Sequence, residues 1–145
     1  MKSKYSLPKD GGLNLAAVPR DIIHRFEKIS TSIYSSEYEG VQYVADQIVR
    51  MIKEYEQRNQ SDEFSGAPDP FVLGLTTGRT PLGLYRELVN RYEKGEISFR
   101  NVAVFSLDEF YPISAHEVQS RNFRIHEDFL NHIDILPENV HLPDG

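Results

Sequence analysis

The chain has 145 residues, 39% of them hydrophobic and 26% charged, an ordinary soluble balance with enough apolar residues for one domain-sized core. Its net charge of −6 disfavours nonspecific binding to nucleic acid or to an anionic membrane, and the lack of cysteine excludes disulfides and thiolate chemistry. No run approaches the roughly 18–20 apolar residues of a membrane span and no apolar signal-peptide core is visible, so no membrane contact and a reducing cytoplasm are expected.

Residues 1–33 read as an N-terminal extension. Residues 1–18 are rich in Lys, Gly, Ser and Pro without periodicity and suit a flexible leader or arm. From Pro19, the residues Ile22, Ile23, Phe26 and Ile29 share one face of a short helix. A stronger helix follows. Ser36 and Glu39 have capping-box spacing, and Val41, Val44, Ala45, Ile48, Ile52 and Tyr55 recur at intervals of three and four. The Ser-, Asp-, Gly- and Pro-bearing segment 59–70 reads as a loop.

Phe71–Leu75 is apolar on both faces, which suits an interior parallel strand. The short polar turn Thr76–Thr80 comes next, with Thr80 as helix N-cap and Pro81 in the first helical position. The following helix presents Leu84, Tyr85, Leu88, Val89 and Tyr92, and Gly95 is its stop. Val102–Leu107 is a second strand of the buried type. Strand, helix and strand in this order imply a parallel crossover. Beyond it, a helix is expected over 120–132, with Phe123, His126 or Phe129, Leu130 and Ile133 inward. A turn at Leu136–Asn139 and a short strand at Val140–Leu142 complete the pattern. The fold class is α/β, a three-layer αβα with a doubly wound, mostly parallel sheet of the Rossmann-like kind.

A strand turning tightly into a helix leaves free backbone N–H groups at the positive end of the helix dipole, and Thr76, Thr77 and Thr80 add hydroxyl donors. This is an anion site or, equally on this stretch alone, an ordinary βα turn. Ligands of open parallel sheets bind beyond the carboxyl ends of the strands, where Asp108 and Glu109 also stand. Asp108, at the mouth of an apolar strand, can be partly desolvated and so suited to accept a proton, or it can cap a local turn. Glu109 would point away from it, which suits a structural role near the site. Arg79 could grip a phosphate bidentately or lie in solvent as a loop charge. The five histidines show no metal-ligand spacing, and the glycine signatures of nucleotide-binding loops are missing.

Leu73-Gly74-Leu75-Thr76-Thr77-Gly78-Arg79-Thr80-Pro81 resembles the phosphate loop of the glucosamine-6-phosphate deaminase/isomerase family, usually Leu-Gly-Leu-Pro-Thr-Gly-Gly-Thr-Pro. Gly95-Glu96-Ile97-Ser98-Phe99-Arg100-Asn101-Val102 and Phe105-Ser106-Leu107-Asp108-Glu109-Phe110 look like the family's next strand and base turn. Ser120 and the run to His132-Ile133-Asp134-Ile135 continue the match, which covers residues 34–145. The resemblance implies that Thr77, Gly78, Arg79 and Thr80 hold the sugar's phosphate. It makes Asp108 the base of an aldose–ketose isomerisation that releases ammonia from C2. It implies a homo-oligomer acting on a small sugar phosphate in N-acetylglucosamine breakdown, with no metal, cofactor or nucleic acid. Related 6-phosphogluconolactonases share the fold and an Asp-Glu turn, and a noncatalytic sugar-phosphate sensor is the remaining alternative. Arg79 stands where the family has glycine, and Thr76 where it has proline. The family's ring-opening histidine lies downstream of these motifs. The 145 residues therefore read as the N-terminal portion of the catalytic domain, similar to an extended two-domain version, and inactive alone.

Overall fold

The computed structural model describes residues 31–59 and 69–145. The expected leader, the short helix after Pro19 and most of the 59–70 loop lie outside the described residues. Helix α1 (Glu37–Asn59) opens at Ser36, whose Oγ accepts from the Glu39 N–H at 3.2 Å. The Glu39 carboxylate closes the cap on Ser35 rather than on Ser36, taking the hydroxyl at 2.6 Å and the N–H at 3.2 Å. The hydroxyl bond above all holds the Glu39 carboxyl below its ordinary pKa. The buried stripe of α1 is Ala45, Val49 and Ile52, at i, i+4 and i+7. Val44, expected inward, is exposed, because it lies about 100° around the helix from Ala45.

Strands β1 (Phe71–Leu75) and β2 (Val102–Ser106) pair in parallel, from Phe71 opposite Val102 to Leu75 opposite Ser106, with α2 (Leu82–Glu93) between them in sequence. The two-residue strand β3 (Val140–His141) pairs in parallel on the other side of β2, which gives the order β1-β2-β3. Leu75, Val102 and Val104 enter one core with Ile52, Leu88, Ile125 and Phe129 from the helical side. On the opposite face Val72 is 62% exposed and Phe105 is also open. The described residues therefore supply the sheet and one helical layer of the αβα architecture. Among the described strands, β1 stands at one end of the order.

Helix α2 starts at Leu82. Pro81 rather than Thr80 is the residue before it, with φ −79° and ψ −11° already helical. Its other end is a Schellman motif, in which Glu96 N–H donates to Arg91 O at 2.9 Å and Gly95 N–H to Tyr92 O at 2.8 Å. Gly95 takes φ +71°, the left-handed conformation that closure requires. Arg91 is buried between α1 and α2. It meets Asp46 at 2.6 Å, Glu87 at 2.8 Å and Gln42 Oε1 at 3.0 Å, so this buried cation has an acceptor for each part of its fork.

The expected helix over 120–132 is shorter. Helix α3 is Arg121–Asp128, and the chain breaks at Phe129 (φ −150°, ψ −60°) into a 3₁₀ turn at Leu130–His132. Phe129 is fully buried, stacked on Tyr85 at 4.9 Å and edge-on to Phe99 at 5.4 Å. These aromatic contacts and the burial of the adjacent Leu130 outweigh the two or three helical bonds forgone. Asp134 then clasps the segment before β2, accepting from Ser98 Oγ and from Phe99 N–H, each at 2.7 Å.

Candidate functional site

Because Leu75 pairs with Ser106 and Leu107 N–H donates to Leu75 O at 3.2 Å, the turns after β1 and β2 begin side by side. The first turn is anchored by Tyr85, whose hydroxyl donates to Thr76 O at 2.6 Å and accepts from Thr76 N–H at 3.2 Å. Burial pushes the Tyr85 phenol up, against the opposing bond to Thr76, so the group remains a neutral donor. Past this anchor the N–H groups of Thr77, Gly78, Arg79 and Thr80 bond to no acceptor among the described residues, and they precede the N-terminus of the twelve-residue α2. Free donors at the positive end of a helix dipole form an anion cradle.

Gly78 has φ +116°, and no other described residue of the loop has positive φ. Arg79, standing where the family pattern has glycine, therefore carries no left-handed strain. It is exposed and makes no ion pair among the described residues. An added Cβ at Gly78 would meet nothing within 4 Å, so Gly78→Ala acts through backbone strain alone. It is expected to lower stability by about 1–3 kcal/mol in urea unfolding, and an unchanged midpoint would show that the loop tolerates another conformation.

Asp108 stands one residue past the Leu107 that continues β2. Its side chain is 48% exposed, so about half of it is withdrawn from water. It also meets Arg121, a residue that strand-end reasoning misses. Arg121 Nε lies 2.8 Å from Asp108 Oδ2, Nη1 donates to Thr77 Oγ1, and Cζ sits 4.5 Å over the Phe110 ring. The Nε contact is an ion pair without hydrogen-bond alignment, and this buried N–H has no acceptor of its own. The sequence signal for Arg121 is its place just after Ser120, which caps α3 by accepting from the Phe123 N–H.

Glu109 turns to the start of α3. Its carboxylate accepts from Ser120 Oγ at 2.7 Å, from Phe110 N–H at 2.8 Å, and from the Arg121 and Asn122 N–H groups at 2.9 Å. Burial alone would raise its pKa, but these four bonds outweigh it and hold the carboxyl at about 2. Asp108, Thr77 and Glu109 are thus gathered around Arg121, and Gly78, Arg79 and Thr80 complete the open loop beside them. Among the described residues no group of three or more histidines or carboxylates converges as a metal site.

The described helices include none long and apolar enough to cross a membrane. The family description "Glucosamine-6-phosphate isomerases/6-phosphogluconolactonase" matches residues 35–145. The chain is 39% identical over 114 residues to a glucosamine-6-phosphate deaminase of Treponema denticola, covering 78% of this chain and 39% of that protein. It is 36% identical over 129 residues to a glucosamine-6-phosphate deaminase-like protein of Bacteroides thetaiotaomicron, covering 89% of this chain and 18% of the relative. A solved monomeric glucosamine-6-phosphate deaminase superimposes with TM-score 0.67 at 31% identity, over 81% of this chain and 43% of that one. The chain spans about two fifths or less of the length of these relatives. The matched span contains the loop, the carboxylate turn and the Arg121 helix, and the chain belongs to the glucosamine-6-phosphate isomerase/6-phosphogluconolactonase family.

Proposed function

We propose that the protein converts glucosamine 6-phosphate and water into fructose 6-phosphate and ammonia. The phosphate sits on the N–H groups of Thr77, Gly78, Arg79 and Thr80, where the α2 dipole and the Thr hydroxyls favour a dianion. Anchoring one end of the open-chain sugar brings its C1–C2 end to Asp108 and supplies much of the catalysis by position. Asp108 takes the C2 proton and returns it at C1. The C2 amine is thereby left as an imine, which water hydrolyses with loss of ammonia. Glu109 serves by fixing the start of α3. The reading includes a cytoplasmic, self-associating enzyme of N-acetylglucosamine breakdown.

The observation that carries it is the adjacency of an open anion cradle and an exposed carboxylate at the ends of neighbouring parallel strands, with one arginine touching both. Named relatives add their weight, since the matched deaminases align across these turns. The intact protein is expected to release ammonia from glucosamine 6-phosphate in step with fructose 6-phosphate. Faster hydrolysis of 6-phosphogluconolactone than of the amino sugar would replace this reading with the family's other activity.

A further inference from the structure

Four separate contacts converge on Arg121. Its backbone N–H is held by Glu109 Oε1 at 2.9 Å, which pins its Cα at the first residue of α3. Its side chain meets Thr77 Oγ1 at one end and Asp108 Oδ2 at the other, and rests on the Phe110 ring between. An exposed ion pair contributes little by itself. A guanidinium differs from a point charge in being one rigid plane, so a displacement at one nitrogen is felt at the others. Here the Arg121 side chain is only 28% exposed, and its buried Nε has no aligned acceptor. The ion pair is therefore a poorly matched one, readily exchanged for a better acceptor.

The anion cradle lies beside Thr77, the residue that Arg121 already touches. A dianion there competes for the guanidinium with more charge than Asp108 and with better bidentate geometry. We propose that Arg121 is a positioning residue that couples the anion loop to Asp108. Phosphate on the loop draws the guanidinium away from the carboxylate, which frees Asp108 to accept a proton only when the anchored end of the substrate is in place. This deepens the deaminase reading and rests on it for what Asp108 does once free, while the coupling itself concerns only an anion and two side chains.

Coupling is reciprocal, so what phosphate does to Asp108 must be visible as what Asp108 does to phosphate. Inorganic phosphate is titrated by calorimetry into the protein and into its Asp108→Asn, Arg121→Gln and doubly substituted forms. Asp108→Asn is expected to tighten phosphate binding about three- to tenfold when Arg121 is present, and less than about twofold in the Arg121→Gln background. A ratio between the two backgrounds below about 1.5-fold overturns the proposal, and so does a parent protein that binds no phosphate. Arg121→Gln keeps the backbone bond to Glu109, so the start of α3 is retained. Should it still fail to fold, Arg121→Lys carries the same comparison, because a point charge on a flexible stem cannot hold both contacts and must lose the coupling. None of these titrations needs turnover. An intact protein that couples phosphate to Asp108 yet releases no ammonia refutes the deaminase reading alone.

Discussion

Asp108→Asn is expected to lower the rate of ammonia release from glucosamine 6-phosphate by about 10³-fold at saturating substrate, within the 10²–10⁴-fold span of general-base catalysis. Asparagine keeps the shape and the polar contacts of the side chain but cannot take the C2 proton. KM should fall by about three- to tenfold, because the substrate's binding energy is proposed to lie in the phosphate loop and the substitution releases Arg121 to it. The fold should also survive. Asp108 is half exposed, and its one ion pair lies in a range where such pairs contribute about 0–1 kcal/mol. A steady-state assay coupled to ammonia, run beside a urea titration, separates these outcomes. Retention of activity within tenfold would remove Asp108 from the role of base, and a parallel loss of stability would mean that the effect is structural.

The parts of this site that were legible in the sequence are those carried by local chemistry. The two strands are apolar runs of the right length, Gly95 sits where a Schellman turn needs a left-handed residue, and Ser36 has its cap partner three residues on. The strand ends then follow from the order of elements, which is why Thr77 and Asp108 could be named as neighbours before any geometry was known. What could not be read depends on packing between distant segments. Nothing local predicts that the helix beginning at Arg121 breaks at Phe129, because that break is driven by Tyr85 and Phe99. The exposure of Val44 is of the same kind, since a stripe of apolar residues does not say which edge meets the sheet. The family segments around Ser98 and Asp134 are a further instance. They meet as a clasp that holds the segment before β2 against the segment after α3. Arg121 is hard to read for a related reason. An arginine at a helix start is electrostatically unfavourable by the dipole rule, and its contacts with Asp108, Thr77 and Phe110 from distant segments explain its place.

Glu109 has the largest energetic consequence at that helix start, because its carboxylate takes the orphan N–H groups of Arg121 and Asn122 together with the Ser120 hydroxyl. Its folded-state pKa of about 2 lies below the ordinary 4.5, so its charged form is bound more tightly in the native state than in the unfolded one. The sign follows from linkage. The contribution is complete well above pH 4.5, has fallen by a little more than half at about pH 3, and is lost as the pH falls through 2. The full shift corresponds to about 3 kcal/mol, and solvent screening of a partly exposed group brings this nearer 2 kcal/mol. Glu109→Gln keeps the size of the side chain but turns an amide NH₂ toward N–H donors, which leaves at least one of them unpaired at the start of α3. The variant should therefore be less stable than the parent by about 2–3 kcal/mol at pH 7, and the gap should close to less than about 1 kcal/mol at pH 3, where the parent carboxyl is losing its advantage. Urea midpoints at the two pH values measure this directly. Activity at pH 7 should fall in the same variant even where it is folded, because the backbone that aims Arg121 at Thr77 and Asp108 hangs on Glu109. A gap in stability that is the same at both pH values would mean that Glu109 contributes by packing, and that Arg121 owes its position to Asp108 and Phe110 alone.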